Sequence, residues 1–187
     1  MRKYLLSAAI LLAVAATALL VPTIHRSMAQ NQKKELRDQQ RAARIKEREI
    51  KRQEYARHMD SIVLSHNFIF SPTSFQMQPA GMSHTITNTM FDIIVSPDYT
   101  DIYIPYIKGI VPPYTMSVID YVAPYISDYV TEQGENVWTV SFKTSMFDGV
   151  DYTFKFTIYT ISGSATLDLS SDLYNTVSYN GYITGRY

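Results

Sequence analysis

From Val137 to Ile183 apolar residues recur at every second position, in runs separated by turn dipeptides. Trp138, Val140 and Phe142 alternate with Thr139, Ser141 and Lys143; Tyr152, Phe154, Phe156 and Ile158 repeat the pattern against Thr153, Lys155 and Thr157. Successive side chains on a strand point to opposite faces, so this spacing buries one face and wets the other. Asp148-Gly149 divides the first two runs. Such a pair accepts positive φ and signals a hairpin, with room in the flanking residues for a longer loop. Ser162-Gly163 marks the next turn, after which Ala165, Leu167 and Leu169 face inward, followed by Val177, Tyr179 and Tyr182. The stretch reads as an antiparallel meander. The remaining segments either add strands to it or deliver it across a membrane.

Delivery is written at the N-terminus. Met1-Arg2-Lys3 is a short basic region, Tyr4 to Val21 is apolar apart from Ser7 and Thr17, and Pro22 closes the run. Ser27-Met28-Ala29 places small residues at the positions a signal peptidase reads, which sets cleavage between Ala29 and Gln30. Residues 1–29 are therefore expected to be a secretory signal peptide, or an uncleaved anchor, since about 18 apolar residues just span a bilayer. The expected location is the periplasm or cell envelope, with membrane contact only if the leader stays on.

Residues 30–64 contain neither Gly nor Pro and are rich in Gln, Lys, Arg, Glu and Ala, which predicts one helix. Leu36, Ala43 and Ile50 recur every seven residues, too few to define a coiled coil. Charges of both signs mix along this helix, as on a solvated spacer; the alternative is a basic arm for a membrane surface or a partner. Tyr55, Met59, Ile62 and Val63 form a stripe that can dock on a sheet. Ser65-His66-Asn67 ends the helix.

Residues 65–187 form the expected β domain. Phe68-Ile69-Phe70 opens it, Ser71 to Gly81 reads as a loop or edge segment, His84 to Val95 as a strand pair or one bent strand, and Asp101 to Tyr106 as a further strand. Ile107 to Tyr129, with Pro112, Pro113 and Pro124, reads as a turn-rich insertion closing over one end or face of the sheet. The expected fold is mainly β: about seven to eight antiparallel strands in a barrel-like curled sheet or a sandwich, preceded by one long helix.

Several of these segments resemble a known family. Leu64-Ser-His-Asn-Phe-Ile-Phe after a charged helix, Tyr103-Ile-Pro-Tyr-Ile-Lys-Gly, Tyr152-Thr-Phe-Lys-Phe-Thr-Ile, Gly163-Ser-Ala-Thr-Leu-Asp-Leu-Ser-Ser and Val177-Ser-Tyr-Asn-Gly are similar, in order, to the DUF4251 domain. The resemblance covers Arg52 to Ile183 and departs at Ile107-Lys108 and Leu173-Tyr174. It implies an exported protein of Bacteroides and relatives, in the cell envelope and mainly β. It implies no activity and no catalytic residues.

Composition narrows the chemistry. With no cysteine there is no disulfide, thiol nucleophile, Cys-zinc site or acylated lipoprotein cysteine. Gln30 to Asp60 carries ten Lys and Arg against six Asp and Glu, whereas Ser61 onward carries four against eleven. A domain that acidic repels a nucleic-acid backbone, so no nucleic-acid partner is expected. His66 and His84 are the only histidines in or beside the β domain, and no nucleophile-elbow pattern accompanies them. The two lack His or Cys partners at zinc spacing, and Asp98, Asp101, Asp148 and Asp151 belong to turns without a calcium-loop motif. No cofactor or metal is expected. Tyr103, Tyr106, Tyr114, Tyr121, Tyr125 and Tyr129 are the candidate site residues: tyrosine supplies flat apolar area with a polar tip for a glycan, a peptide or a small apolar ligand. The alternative is that they are core. Two functions follow, a non-enzymatic ligand-binding or structural β domain and an envelope assembly module using the charged helix to hold a protein partner; a hydrolase without a recognisable motif is the weak third.

Overall fold

The computed structural model describes residues 2–109, 111–146 and 149–186, with side chains described from residue 32 onward. The elements are α1 (Arg2–Leu64), β1 (Phe68–Met77), β2 (Ser83–Thr85), β3 (Asp92–Val95), β4 (Thr100–Lys108), β5 (Thr115–Ala123), β6 (Ser127–Gly134), β7 (Val137–Ser145), β8 (Asp151–Tyr159), β9 (Ser164–Ser171) and β10 (Val177–Gly185). The chain divides into two units, Met1–Lys51 and Arg52–Tyr187.

In the first unit every described side chain, residues 32–51, is exposed. Lys51 reaches back to Glu47 at 2.8 Å, a one-turn pair on the exposed helix surface. Among the residues whose side chains are described, no helix is long and apolar enough to cross a membrane. The leader Tyr4 to Val21 and the Ala29–Gln30 junction lie outside that set.

In the second unit the last turns of α1 bury Met59, Ile62 and Val63, three of the four residues of the stripe read from the sequence; the fourth, Tyr55, stays 40% exposed. Trp138 donates its indole N–H to Asp60 at 2.7 Å, and the Tyr55 hydroxyl packs directly over Gly163. Gly163 has φ +68°, so a side chain there meets both backbone strain and Tyr55. His66, at φ +54°, reverses the chain out of the helix.

The strands form one mainly antiparallel sheet in the order β5-β4-β3-β1-β10-β9-β8-β7-β6, with β2 paired to β1. Residues 124–126 join β5 to β6, the two ends of this order. Laid flat, nine strands would separate those ends by roughly 38 Å. A three-residue join spans roughly 15 Å at most, so the sheet must roll up. Its neighbours pair antiparallel throughout, so β5 and β6 run in the same sense. They are two halves of one strand bent at Pro124, the first half paired with β4 and the second with β7.

Inside the curl the inward positions are filled. Phe68, Phe70, Phe142, Phe154, Phe156, Leu167 and Tyr179 are fully buried. Phe142 stacks on Phe154 at 5.0 Å, and Phe156 meets Phe68 and Phe70 edge-on at 5.5 and 5.4 Å. The half-barrel is a packed core, with its clefts at the rims.

Three readings of the sequence change, and a fourth falls partly outside the described residues. Ser71 to Met77 is not loop but the second half of β1, and Pro72 is accommodated where the pairing with β10 shifts register between Pro72 and Ser74. Ile107 to Tyr129 is not an insertion but the end of β4, all of β5 and the start of β6. Tyr182 points outward, because Gly181 takes the inward position between Tyr179 and Ile183. The β7–β8 connection spans residues 146–150, with Gly149 at φ +70° donating to the Met146 carbonyl at 2.9 Å; Asp148 of the expected Asp-Gly turn lies outside the described residues.

Candidate functional site

The fold distributes the six candidate tyrosines to five places. Tyr106 is core, 2% exposed on the inward face of β4. Tyr103 sits on the opposite face of the same strand, its ring 4.9 Å from Phe91. Tyr129 lies half-buried between His66 at 4.2 Å and Phe142 at 5.8 Å, extending a stack that continues to Phe154. Burial pushes its hydroxyl up to about 12, and among the described residues that hydroxyl has no hydrogen-bond partner. Tyr121 and Tyr125 do come together, flanking the Pro124 corner in a cleft of about 430 Å³ with Thr144 and Met146. Thr144 donates its hydroxyl to the Tyr125 carbonyl at 2.8 Å, which fixes the corner. Tyr114 stands apart, on the wall of a second cleft.

That second cleft, about 620 Å³, lies at the rim where β1 ends, β4 hands over to β5 and the β9–β10 connection passes. Met77, Met82, His84, Ile107, Tyr114, Met116 and Asn175 line it, with the Gln78–Gly81 loop as a lip. The lip is held at both ends. The Gly81 N–H donates to the Met77 carbonyl and the Gln76 side chain donates to the Gly81 carbonyl, each at 2.8 Å, while the Gln78 N–H donates to Thr176 at 2.8 Å. Asn175 donates to the Gly109 carbonyl at 2.9 Å and touches the Met77 sulfur at 3.6 Å, tying the opposite wall. His84 stacks on Phe75 at 5.1 Å, and Phe75 on Tyr179 at 5.9 Å. Tyr179 in turn donates to the Pro105 carbonyl at 2.8 Å. Pro105 sits just past Tyr103, the last residue of β4 that β3 pairs, where its missing N–H costs no bond on that side.

Chemically the cleft is soft and uncharged. Its walls offer thioethers, a phenol, an imidazole and a carboxamide, with no carboxylate or ammonium group. Methionine is unbranched and polarizable, so such walls mould to apolar shapes rather than impose one. Among the described residues no three His, Asp or Glu side chains converge as metal ligands. Of the lining residues only Tyr114 is among the tyrosines singled out by sequence. The missed signal is the methionine at 77, 82 and 116, three of the eight in the chain.

The family model for the domain of unknown function DUF4251 matches residues 50–183. The chain belongs to the DUF4251 family. A crystal structure of a DUF4251 family protein from Bacteroides eggerthii DSM 20697 superposes with a TM-score of 0.53 at 14% sequence identity, covering 72% of this chain and 87% of that one. At that identity the likeness is one of fold. No curated protein matches. The matched range takes in the docking turns of α1 and nearly the whole sheet, so the rim cleft and the bent β5–β6 strand both lie within the DUF4251 domain.

Proposed function

We propose that this DUF4251 protein is an exported, non-enzymatic ligand-binding domain of the cell envelope, and that its ligand seats in the methionine-lined rim cleft. The cleft itself carries the reading. Its volume of about 620 Å³ falls in the range of small-molecule sites, and its walls are apolar with two orienting polar groups, His84 and Asn175. The ligand class that fits is an uncharged, mainly apolar molecule or short apolar peptide. The basic n-region, apolar run and Ser27-Met28-Ala29 junction support export. Native mass spectrometry of the full-length gene product from its host envelope tests both parts. The expected result is a chain starting at Gln30 that carries extra mass lost on denaturation, and lost again in the folded Met82→Ala/Met116→Ala variant. A bare chain, or extra mass indifferent to that variant, removes the cleft reading.

A second reading, an envelope assembly module, is supported by the first unit. A helix whose described side chains are all exposed has surface to offer a partner along residues 32–51.

A further inference from the structure

A sheet edge is a row of unpaired main-chain donors and acceptors, and proteins blunt it with bulges, charges and proline. The two edges of this sheet are treated differently. On β6, Asp128 takes φ +53° within a register break between Ser127 and Val130, its carboxylate lies 3.2 Å from the Lys143 ammonium, and Glu132 adds a further charge. On β5 nothing of the kind occurs. Its nine residues pair with β4 in unbroken register, Thr100 opposite Ala123 through Lys108 opposite Thr115. No strand covers its other side among the described residues. It contains no proline, no basic residue and one acid, Asp120. Apart from Asp120 its outward side chains are apolar and wet: Met116 is 57%, Val118 48% and Val122 55% exposed.

The neighbouring strands say what such an edge would take. Cross-strand pairing places Asp92, Tyr103 and Asp120 in one row and Ile94, Asp101 and Val122 in the next. Three carboxylates thus share the outward face of β3, β4 and β5, and residues 61–107 contain no Lys or Arg. Burial, with the nearby Asp101 charge, holds the Asp92 carboxyl above its usual range. A strand continuing these rows meets valine, aspartate and valine in turn, and opposite charges directly across a ladder stabilise while like charges destabilise. In the register centred on Asp120, a second copy of this chain would bring that carboxylate against itself.

We propose that the free edge of β5 is a strand-addition site for an extended segment of another polypeptide, apolar opposite Val118 and Val122 and basic opposite Asp120. Main-chain bonds supply affinity in such a site and alternate side chains supply selection. The site adjoins the rim cleft at Met116, which lines that cleft, but the residues that select the added strand, Val118, Asp120 and Val122, do not line it.

The test uses the full-length chain in detergent and two fluorescein-labelled peptides of alternating threonine and valine, one with lysine at its central outward position and one with glutamate. Both are N-methylated along one edge so that they cannot self-associate. Fluorescence anisotropy is expected to show the lysine peptide binding at least about tenfold tighter, a difference of about 1.4 kcal/mol. Hydrogen exchange is expected to slow at the amides of β5. Asp120→Lys should reverse the preference, and Val118→Lys should abolish binding of the lysine peptide with the circular dichroism spectrum unchanged. Equal affinity for the two peptides, no binding, or protection confined to other strands overturns the proposal. So does a dimer that Val118→Lys dissociates, which would make a second copy the occupant.

Discussion

Tyr129 carries its hydroxyl into a stack of rings without giving it a hydrogen-bond partner among the described residues. A buried unpaired hydroxyl is a cost that phenylalanine does not carry. Tyr129→Phe is therefore expected to leave stability unchanged or raise it by up to about 1 kcal/mol in urea unfolding. The same residue sets an alkaline limit. In the unfolded chain its phenol ionises near 10, in the fold only at about 12. Its contribution is complete below pH 10 and is lost as pH rises from there toward 12, because the unfolded state releases its proton first. Tyr129→Phe should then move the alkaline unfolding midpoint upward, followed by tyrosinate absorbance. Tyr179 shows the contrast. Its hydroxyl is also held from ionising by burial but is bonded to Pro105, so Tyr179→Phe is expected to cost about 1 kcal/mol at neutral pH.

At the scale of elements, the joint between α1 and the sheet rests on the Met59–Val63 stripe and on the polar contact of Trp138 with Asp60. Asp60→Ala leaves a half-buried indole N–H without its charged acceptor, and the expected loss is about 1.5–3 kcal/mol by thermal or urea unfolding. This joint was legible in the sequence because period 3.6 placed its apolar residues on one side. The strands β7 to β9 were legible for the corresponding reason, since Thr, Ser and Lys alternate with their core residues. β5 was not. Its inward side is Ser117, Ile119 and Tyr121 and its outward side Met116, Val118, Asp120 and Val122, so both faces mix polar with apolar groups and no alternation is visible. The same disguise hid Met116 from the site prediction. The tyrosines, judged by composition alone, were scattered by strand parity: Tyr103 and Tyr106, three apart on β4, necessarily face opposite ways.

At the scale of the molecule, the two units differ in charge as well as in structure. The helical stretch from Gln30 to Asp60 is net basic and the chain beyond it net acidic. Deleting Gln30 to Lys51 removes exposed side chains only, so far as they are described, and is expected to shift the melting temperature of the β domain by less than about 2 °C. A larger shift in differential scanning fluorimetry would mean that the arm contributes to the fold, and loss of a co-purifying protein without such a shift would favour the assembly reading.

The pairing of β1 with β10 reaches from Phe68 to Gly185, across almost the whole domain. Contacts between residues so distant in sequence can form only when both are present. A polypeptide that emerges N-terminus first therefore holds β1 with its β10 edge vacant until Val177–Gly185 has been made. The seam between β5-β4-β3-β1 and β10-β9-β8-β7-β6 is thus the last ladder of the sheet that synthesis allows to form.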